Sequence, residues 1–266
     1  MKKIFLTGAS SGIGKAIAIA LAEEGHQVWG TSRDIARLSQ LTNVHPLALD
    51  LGDSISIANA FAAAVRDAGK IDVLINNAGS GHFGPAENLS AETISNQFQL
   101  LVFGHIQLMQ LGLAAMRDQG GLIINVTSLA SRLPVPFMAA YNAAKAAMAV
   151  FTMSIQLELP DSKVRIVDLQ PADICTNFND AVPRASRYDA SYEPRVARTW
   201  DAVERNLKNA PKPELVAARV CQLIAGDAPP PRLTVGDFFQ GTVAPFIFRF
   251  LPQRVRIWGL KKYYGL

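Results

Sequence analysis

Cysteine is nearly absent from this chain. Cys175 and Cys221 are the only two, too few for a disulfide framework and not at metal-ligand spacing. Four histidines, His26, His45, His82 and His105, are scattered singly, so no metal site is expected. Charge is sparse: 18% of residues are charged and the net of +4 is mild. No basic run interleaved with aromatics precedes the C-terminal tail, which argues against a nucleic-acid partner. The basic, apolar opening Met1-Lys2-Lys3-Ile4-Phe5-Leu6 is cut short by Thr7 and Gly8, too soon for a secretory leader, and no continuous stretch is expected to span a bilayer. Internal repeats and low-complexity linkers are also missing. A chain of 266 residues, 49% of them hydrophobic, is therefore expected to form one soluble, cytoplasmic domain with a well-buried core.

What is present is alternation. Short apolar runs at 3–7, 27–31, 44–49, 71–75, 121–126, 163–169 and 232–235 predict strands. Longer helical patterns lie between them at 12–24, 54–68, 91–117, 137–157 and 213–225. Strands that are apolar throughout, each followed by a helix, predict an α/β fold: a parallel sheet covered on both faces, in three αβα layers. Two stretches break the pattern. Residues 177–211 are polar and rich in Arg and Pro, and are expected to form a loop over a substrate. Beyond a body at 1–235, residues 236–266 are apolar and basic, with no acid after Asp237.

Thr7-Gly8-Ala9-Ser10-Ser11-Gly12-Ile13-Gly14 follows the first predicted strand and opens the first helix. Gly8 permits a sharp turn, Gly12 lets backbone approach a pyrophosphate, and Gly14 lets helix pack on strand. Phosphates would then meet free N–H groups at the positive end of that helix. The second strand ends at Thr31-Ser32-Arg33, with no acid to hold a ribose 2′-hydroxyl. Arg33 can pair with a 2′-phosphate instead, which favours NADP(H) over NAD(H). Further along, Tyr141 and Lys145 stand four apart on one helical face, with Ser128 upstream. The ammonium is expected to favour the phenolate, so that Tyr141 can exchange a proton far below its free pKa, while Ser128 holds a substrate oxygen.

Together these motifs resemble the short-chain dehydrogenase/reductase family. The glycine-rich start, Asn76-Asn77-Ala78-Gly79 after the fourth strand, Ser128 thirteen residues before Tyr141, and Tyr141-x-x-x-Lys145 match it in order and spacing, over roughly residues 2–225. The resemblance implies a doubly wound Rossmann-type sheet and a hydride transfer between NADP(H) and a carbonyl or secondary alcohol. It implies that Asp50 and Leu51 contact the adenine, and that Asn77, Ala78 and Gly79 wall the adenosine side. Pro171, Ile174 and Thr176 would hold the nicotinamide carboxamide, and Lys145 the nicotinamide ribose. Tyr141 would protonate the substrate oxygen and Ser128 would orient it.

Two positions depart from the family pattern. Leu101 stands where an asparagine usually helps hold a water that links the lysine to solvent, and leucine offers no polar side-chain atom. Another water path or a neighbouring group is expected to take its place. Ala172 replaces the usual glycine after Pro171, at the expense of local backbone freedom only. The alternative function is a cofactor-binding sensor or scaffold with weak or no catalysis; the Ser128–Tyr141–Lys145 set favours the enzyme and Leu101 the sensor.

Substrate identity is thinly marked. Segment 80–85 is expected to border the site, and His82 either contacts substrate or is an ordinary loop histidine. Cys175 is expected to be a small buried apolar residue. Leu133, Val135, Phe137 and Met138 suggest an apolar substrate or ordinary helix-entry packing. The tail 244–266 either packs over the pocket or a neighbouring subunit, the reading preferred, or lies on an anionic membrane, and Pro252 and Gly259 are expected to divide it. The resemblance also implies a homodimer or homotetramer, paired through helices 91–117 and 137–157 with Leu108, Leu111, Ala115, Met148, Phe151 and Ile155 as candidate contacts.

Overall fold

The computed structural model describes residues 1–159, 162–185 and 187–266. Ser186, inside the expected loop, lies outside the described residues. Seven strands form one parallel sheet: β1 Lys3–Leu6, β2 Gln27–Ser32, β3 Val44–Ala48, β4 Val73–Asn76, β5 Gly121–Val126, β6 Val164–Pro171 and β7 Arg232–Val235. Their spatial order is β3-β2-β1-β4-β5-β6-β7. β1 shows why apolar runs become central strands here. Ile4 and Leu6 enter the core on one face, while Phe5 enters it on the other and meets Phe61 edge-on at 5.4 Å. Both faces of the strand are dry, so neither parity of side chain can be polar.

Helix α1 (Gly12–Glu23) covers the first face together with α7 (Glu214–Ala225). Helices α2 (Ser54–Ala68), α4 (Gly104–Met116) and α5 (Ala139–Glu158) cover the second. Asp53 accepts from Ile55 N–H to start α2, and Gly69, at φ +77, ends it. α3 (Ala91–Phe98) runs into α4 through a π turn at Gln99–Phe103. The continuous stretch Ala91–Met116 does reach the length and apolarity of a membrane span, against the expectation that no stretch would. Its inner face, including Leu101, Leu108 and Met109, is buried in the protein core.

Segment 177–211 is not an open loop. It carries α6 (Glu193–Asn209), with Pro194 in the first turn and Val196, Thr199, Trp200 and Ala202 buried. Trp200 packs edge-on to Phe83 at 4.8 Å. The density of Arg and Pro masks this helix, whose inward residues nevertheless recur at helical spacing. The tail forms α8 (Ala244–Phe250) and α9 (Gln253–Tyr263). Pro252 separates them as expected, but Gly259 lies inside α9, because one glycine costs a helix only about 1 kcal/mol. Of the expected subunit contacts, Leu108 and Met148 are buried in the chain's own core, Leu111, Phe151 and Ile155 pack against it, and Ala115 is exposed. Four residues not among them, Phe103, Val150, Met153 and Leu157, are the large apolar side chains left exposed there.

The strand order reverses between β1 and β4, which opens a crevice at their C-terminal ends. Closeness there rests on Gly14, where a Cβ would sit 2.1 Å from the Gly8 carbonyl oxygen and 2.5 Å from Asn77 Nδ2. Gly14→Ala should therefore lower the unfolding free energy by about 1–3 kcal/mol in urea titration. Gly259→Ala, with nothing within 4 Å of the added methyl, should be neutral or stabilising by up to about 1 kcal/mol. Equal effects of the two substitutions would refute the close-approach account.

Candidate active site

The crevice is one open cleft of about 2030 Å³, roughly twice the upper size of a single small-ligand pocket. All the residues expected at the cofactor or the chemistry line it, from Gly8 to Thr176. At one end Gly8 and Gly12 take φ values of +72 and +52, in the left-handed region that favours glycine. Ser11, the N-cap of α1, makes no side-chain capping bond. The first-turn N–H groups of the helix thus face the cleft without a local acceptor, which suits a pyrophosphate. Thr7 Oγ accepts from the backbone N–H of Asn77 at 2.8 Å and of Ala78 at 2.9 Å, and Asn77 Nδ2 donates to the Thr7 carbonyl at 2.9 Å. Asn77 thus ties the phosphate loop to the end of β4.

At the adenine end, Ser32 Oγ donates to Ser10 Oγ at 3.3 Å, and Arg33 is exposed. Arg33 makes no ion pair among the described residues. Arg37, on a short 3-10 turn capped by Asp34, lines the same part of the cleft. Sequence reasoning passed over it, although a second cation four residues after Arg33 was the available signal. The cleft therefore fits a dinucleotide, with two cations beside the end of the second strand.

At the other end stand Ser128, Tyr141 and Lys145. Ser128 caps a 3-10 turn after β5, accepting from Ala130 N–H at 3.0 Å. Its hydroxyl also faces the Tyr141 phenol and favours ionisation there. Burial outweighs that effect and pushes the phenol above its usual pKa, with Asp173 adding to the rise. The expected help from Lys145 is not what this geometry delivers. Its ammonium lies 5.9 Å from the Tyr141 ring centroid and donates to the Val126 carbonyl at 2.8 Å. The Tyr141 phenol is accordingly held in its protonated form.

Lys145 is 4% exposed. Burial lowers its pKa to about 8, and the charge of Asp168 holds it from falling further. Asp168 is itself buried and satisfied by Thr127 Oγ, Gln170 Nε2 and Arg232 Nε, the last at 2.8 Å.

Leu101 sits in the π turn, fully buried, and its Cδ2 would lie 3.1 Å from a Cβ at Gly79, itself beside Lys145 Nζ. π turns shift backbone carbonyls out of the regular ladder and are frequent at functional sites. Here the Leu101 backbone, one turn before buried His105, favours the charged form of its ring. His105 Nε2 is buried with no hydrogen-bond partner among the described residues. Burial and the nearby Lys145 charge lower His105 to about 3, keeping it neutral. Polar capacity missing from the Leu101 side chain is therefore present on that face in the Leu101 backbone and in His105. His105 was noted in the sequence only as one of four scattered histidines.

Cys175 is exposed, contrary to expectation, because Ile174 takes the inward position and Cys175 N–H donates outward to the Pro211 carbonyl at 2.9 Å. His82, lowered by burial, lines the cleft with Leu133, Val135 and Met138. Phe137 instead packs on Phe83 at φ +62, held by Gly84 N–H donating to its carbonyl at 2.8 Å. The tail joins the site through Gln240, which accepts from Asp173 N–H and donates to Asp173 Oδ2 and to the Tyr263 hydroxyl.

Comparison with known proteins agrees with this geometry. The family model for short chain dehydrogenases matches residues 2–186. The chain is 31% identical over 266 residues to a 3-ketodihydrosphingosine reductase of Bacteroides thetaiotaomicron, covering 99% of this chain and 98% of the relative. An NADPH-dependent 1-acyldihydroxyacetone phosphate reductase of Schizosaccharomyces pombe is 32% identical over 66% of this chain and 61% of its own length. Among solved structures, a short-chain dehydrogenase from Streptomyces avermitilis superposes with a TM-score of 0.82 at 26% identity, covering 98% of this chain and 96% of the other. A Thermococcus sibiricus alcohol dehydrogenase complexed with 5-hydroxy-NADP gives 0.75 at 25%, covering 90% and 97%. With glycine loop, Asn77 clasp and Ser128–Tyr141–Lys145 in one cleft, the chain belongs to the short-chain dehydrogenase/reductase family of NAD(P)-dependent oxidoreductases.

Proposed function

We propose that this protein is an NADPH-dependent reductase of a ketone carried on a long apolar chain, with Tyr141 as the general acid. The observation that carries the reading is the convergence of Ser128, Tyr141 and Lys145 at one end of the dinucleotide cleft, with the phenol held protonated. A protonated phenol suits delivery of a proton to a carbonyl oxygen as it gains negative charge. Ser128 holds that oxygen against the phenol. NADPH, when bound, supplies the hydride. The Gly8–Gly14 backbone would hold its pyrophosphate, Ser32, Arg33 and Arg37 its 2′-phosphate, and Asp50 and Leu51 its adenine. Lys145 would hold the nicotinamide ribose, and Pro171, Ile174 and Thr176 the carboxamide.

The apolar chain is supported from two sides. Leu133, Val135, Met138, Phe178, Phe248 and Leu260 give the far wall of the cleft a greasy lining. Two relatives, by their names, reduce 3-ketodihydrosphingosine and 1-acyldihydroxyacetone phosphate, both ketones on lipid skeletons. Subunit pairing is proposed through the α4/α5 face, where Phe103, Val150, Met153 and Leu157 are exposed together. A sensor without catalysis is the second reading, favoured by apolar Leu101 beside Gly79 and Lys145.

Three measurements test the site. Tyr141→Phe should cut turnover of a long-chain ketone by about 10²–10⁴-fold with NADPH affinity nearly unchanged; a variant that keeps most of its rate would remove Tyr141 from the chemistry. Arg33→Asp should shift preference toward NADH by about tenfold or more, the worth of one charge-assisted bond. Unchanged selectivity would put the 2′-phosphate elsewhere.

Lys145→Met tests the buried ammonium. The unfolded chain keeps this proton to pH 10.5 and the folded one to about 8, so unfolding takes up protons between those values and the folded state gains stability as pH rises through them. Below pH 8 the whole penalty is felt, up to about 3 kcal/mol. Lys145→Met should thus melt above the wild type at pH 7, with the gap closing toward pH 10. A gap independent of pH would contradict the assignment.

A further inference from the structure

The tail closes one side of the cleft and presents its other side to solvent. Phe248, Leu260 and Tyr264 line the cleft from α8, α9 and the residue just beyond. Gln240 and Tyr263 tie the segment to Asp173 at the end of β6. Arg256 donates to the Leu251 and Arg249 carbonyls and so fixes α9 against the end of α8. With its inward residues committed in this way, the tail leaves Phe246 65% exposed, Phe250 68% and Trp258 63%.

A single exposed apolar side chain needs no explanation, but these do not stand singly. The rings of Phe246 and Phe250 are 5.2 Å apart. Arg249 lies over Phe250 at 5.9 Å, and Lys262 over Trp258 at 5.5 Å. After Asp237 the chain carries Arg249, Arg254, Arg256, Lys261 and Lys262 and not one acid. With 7 residues in α8 and 11 in α9, neither helix could cross a bilayer.

We propose that the outer face of α8 and α9 docks on an anionic lipid bilayer, with the aromatic rings at headgroup depth and the cations among the lipid phosphates. Charge selects this occupant. A second copy presenting the same face would set the four exposed cations, Arg249, Arg254, Lys261 and Lys262, against their own copies, with no acid in either tail to answer them. An anionic bilayer answers every one, and it is also the surface where Trp and Phe rest among interleaved Lys and Arg. Docking places the tail wall of the cleft on the membrane. On the lipid-ketone reading above, which this consequence alone rests on, the substrate passes from the bilayer between α8 and α9 to Tyr141 without crossing water.

Co-sedimentation of the full chain with phosphatidylglycerol–phosphatidylcholine vesicles tests the docking, with pure phosphatidylcholine vesicles as the comparison. Binding is expected on the anionic vesicles alone and should be displaced by high salt. The Phe246→Ser/Phe250→Ser/Trp258→Ser protein and the Arg254→Glu/Lys261→Glu/Lys262→Glu protein should each lose about tenfold or more of it. Both should keep turnover of a short, soluble ketone, since none of these six side chains lines the cleft. Failure of the wild type to sediment, or full sedimentation of both variants, would overturn the proposal. So would an aromatic variant that loses only a dimer while still binding vesicles. Vesicle binding without turnover of any long-chain ketone would sink the substrate reading and leave the docking standing.

Discussion

The hydroxyl of Thr7 accepts two backbone N–H groups, from Asn77 and Ala78, and this clasp holds the ends of β1 and β4 together. Those are the strands between which the sheet changes direction, so the clasp carries their pairing past its last register pair and into the crevice. Everything at the site is measured from it. Gly14 brings α1 down on Gly8 and Asn77 on one side, and on the other Gly79 leads to Leu101 and Lys145. Such closeness is available only where side chains are missing, which is why glycines and one small hydroxyl stand at the centre of so apolar a core.

A second constraint is the burial of an ammonium. Lys145 reaches into the protein between β5 and α5, where an isolated charge would be costly. The Val126 carbonyl accepts a hydrogen bond from that ammonium at 2.8 Å. Asp168 contributes an opposite charge from β6 and is itself anchored by Arg232. His105 stays neutral in this company, since a second cation beside Lys145 would undo the arrangement. The result is a lysine at the edge of losing its proton, useful for chemistry and expensive for folding.

Much of this was legible in the sequence, and the reasons for what was not are specific. Strands buried on both faces leave continuous apolar runs, so β1, β2, β4, β5 and β6 emerged close to their observed bounds, and the more exposed edge strands β3 and β7 did so too. The glycine pattern could be read because each glycine answers a steric demand with no other solution. Helix α6 was missed because its inward residues, Val196, Trp200 and Ala202, are diluted by Arg and Pro on its wet face. The state of Tyr141 was misjudged for a different reason. Spacing along a helix gives the distance to Lys145, but burial of the phenol and the pull of the Val126 carbonyl on the ammonium depend on three strands and a helix meeting. Likewise no local pattern distinguishes a leucine in a π turn from one in an α-helix, so the polar backbone at Leu101 could not be anticipated.

The bridge from Asp173 through Gln240 to Tyr263 joins two parts of the molecule that could have been independent. Asp173 bears on the Tyr141 phenol, and Tyr263 belongs to the last helix. Free energies of coupling are reciprocal. Any effect that steadying the tail has on binding at the site is matched by an equal effect of binding on the tail. Occupancy at one end of the chain becomes readable at the other.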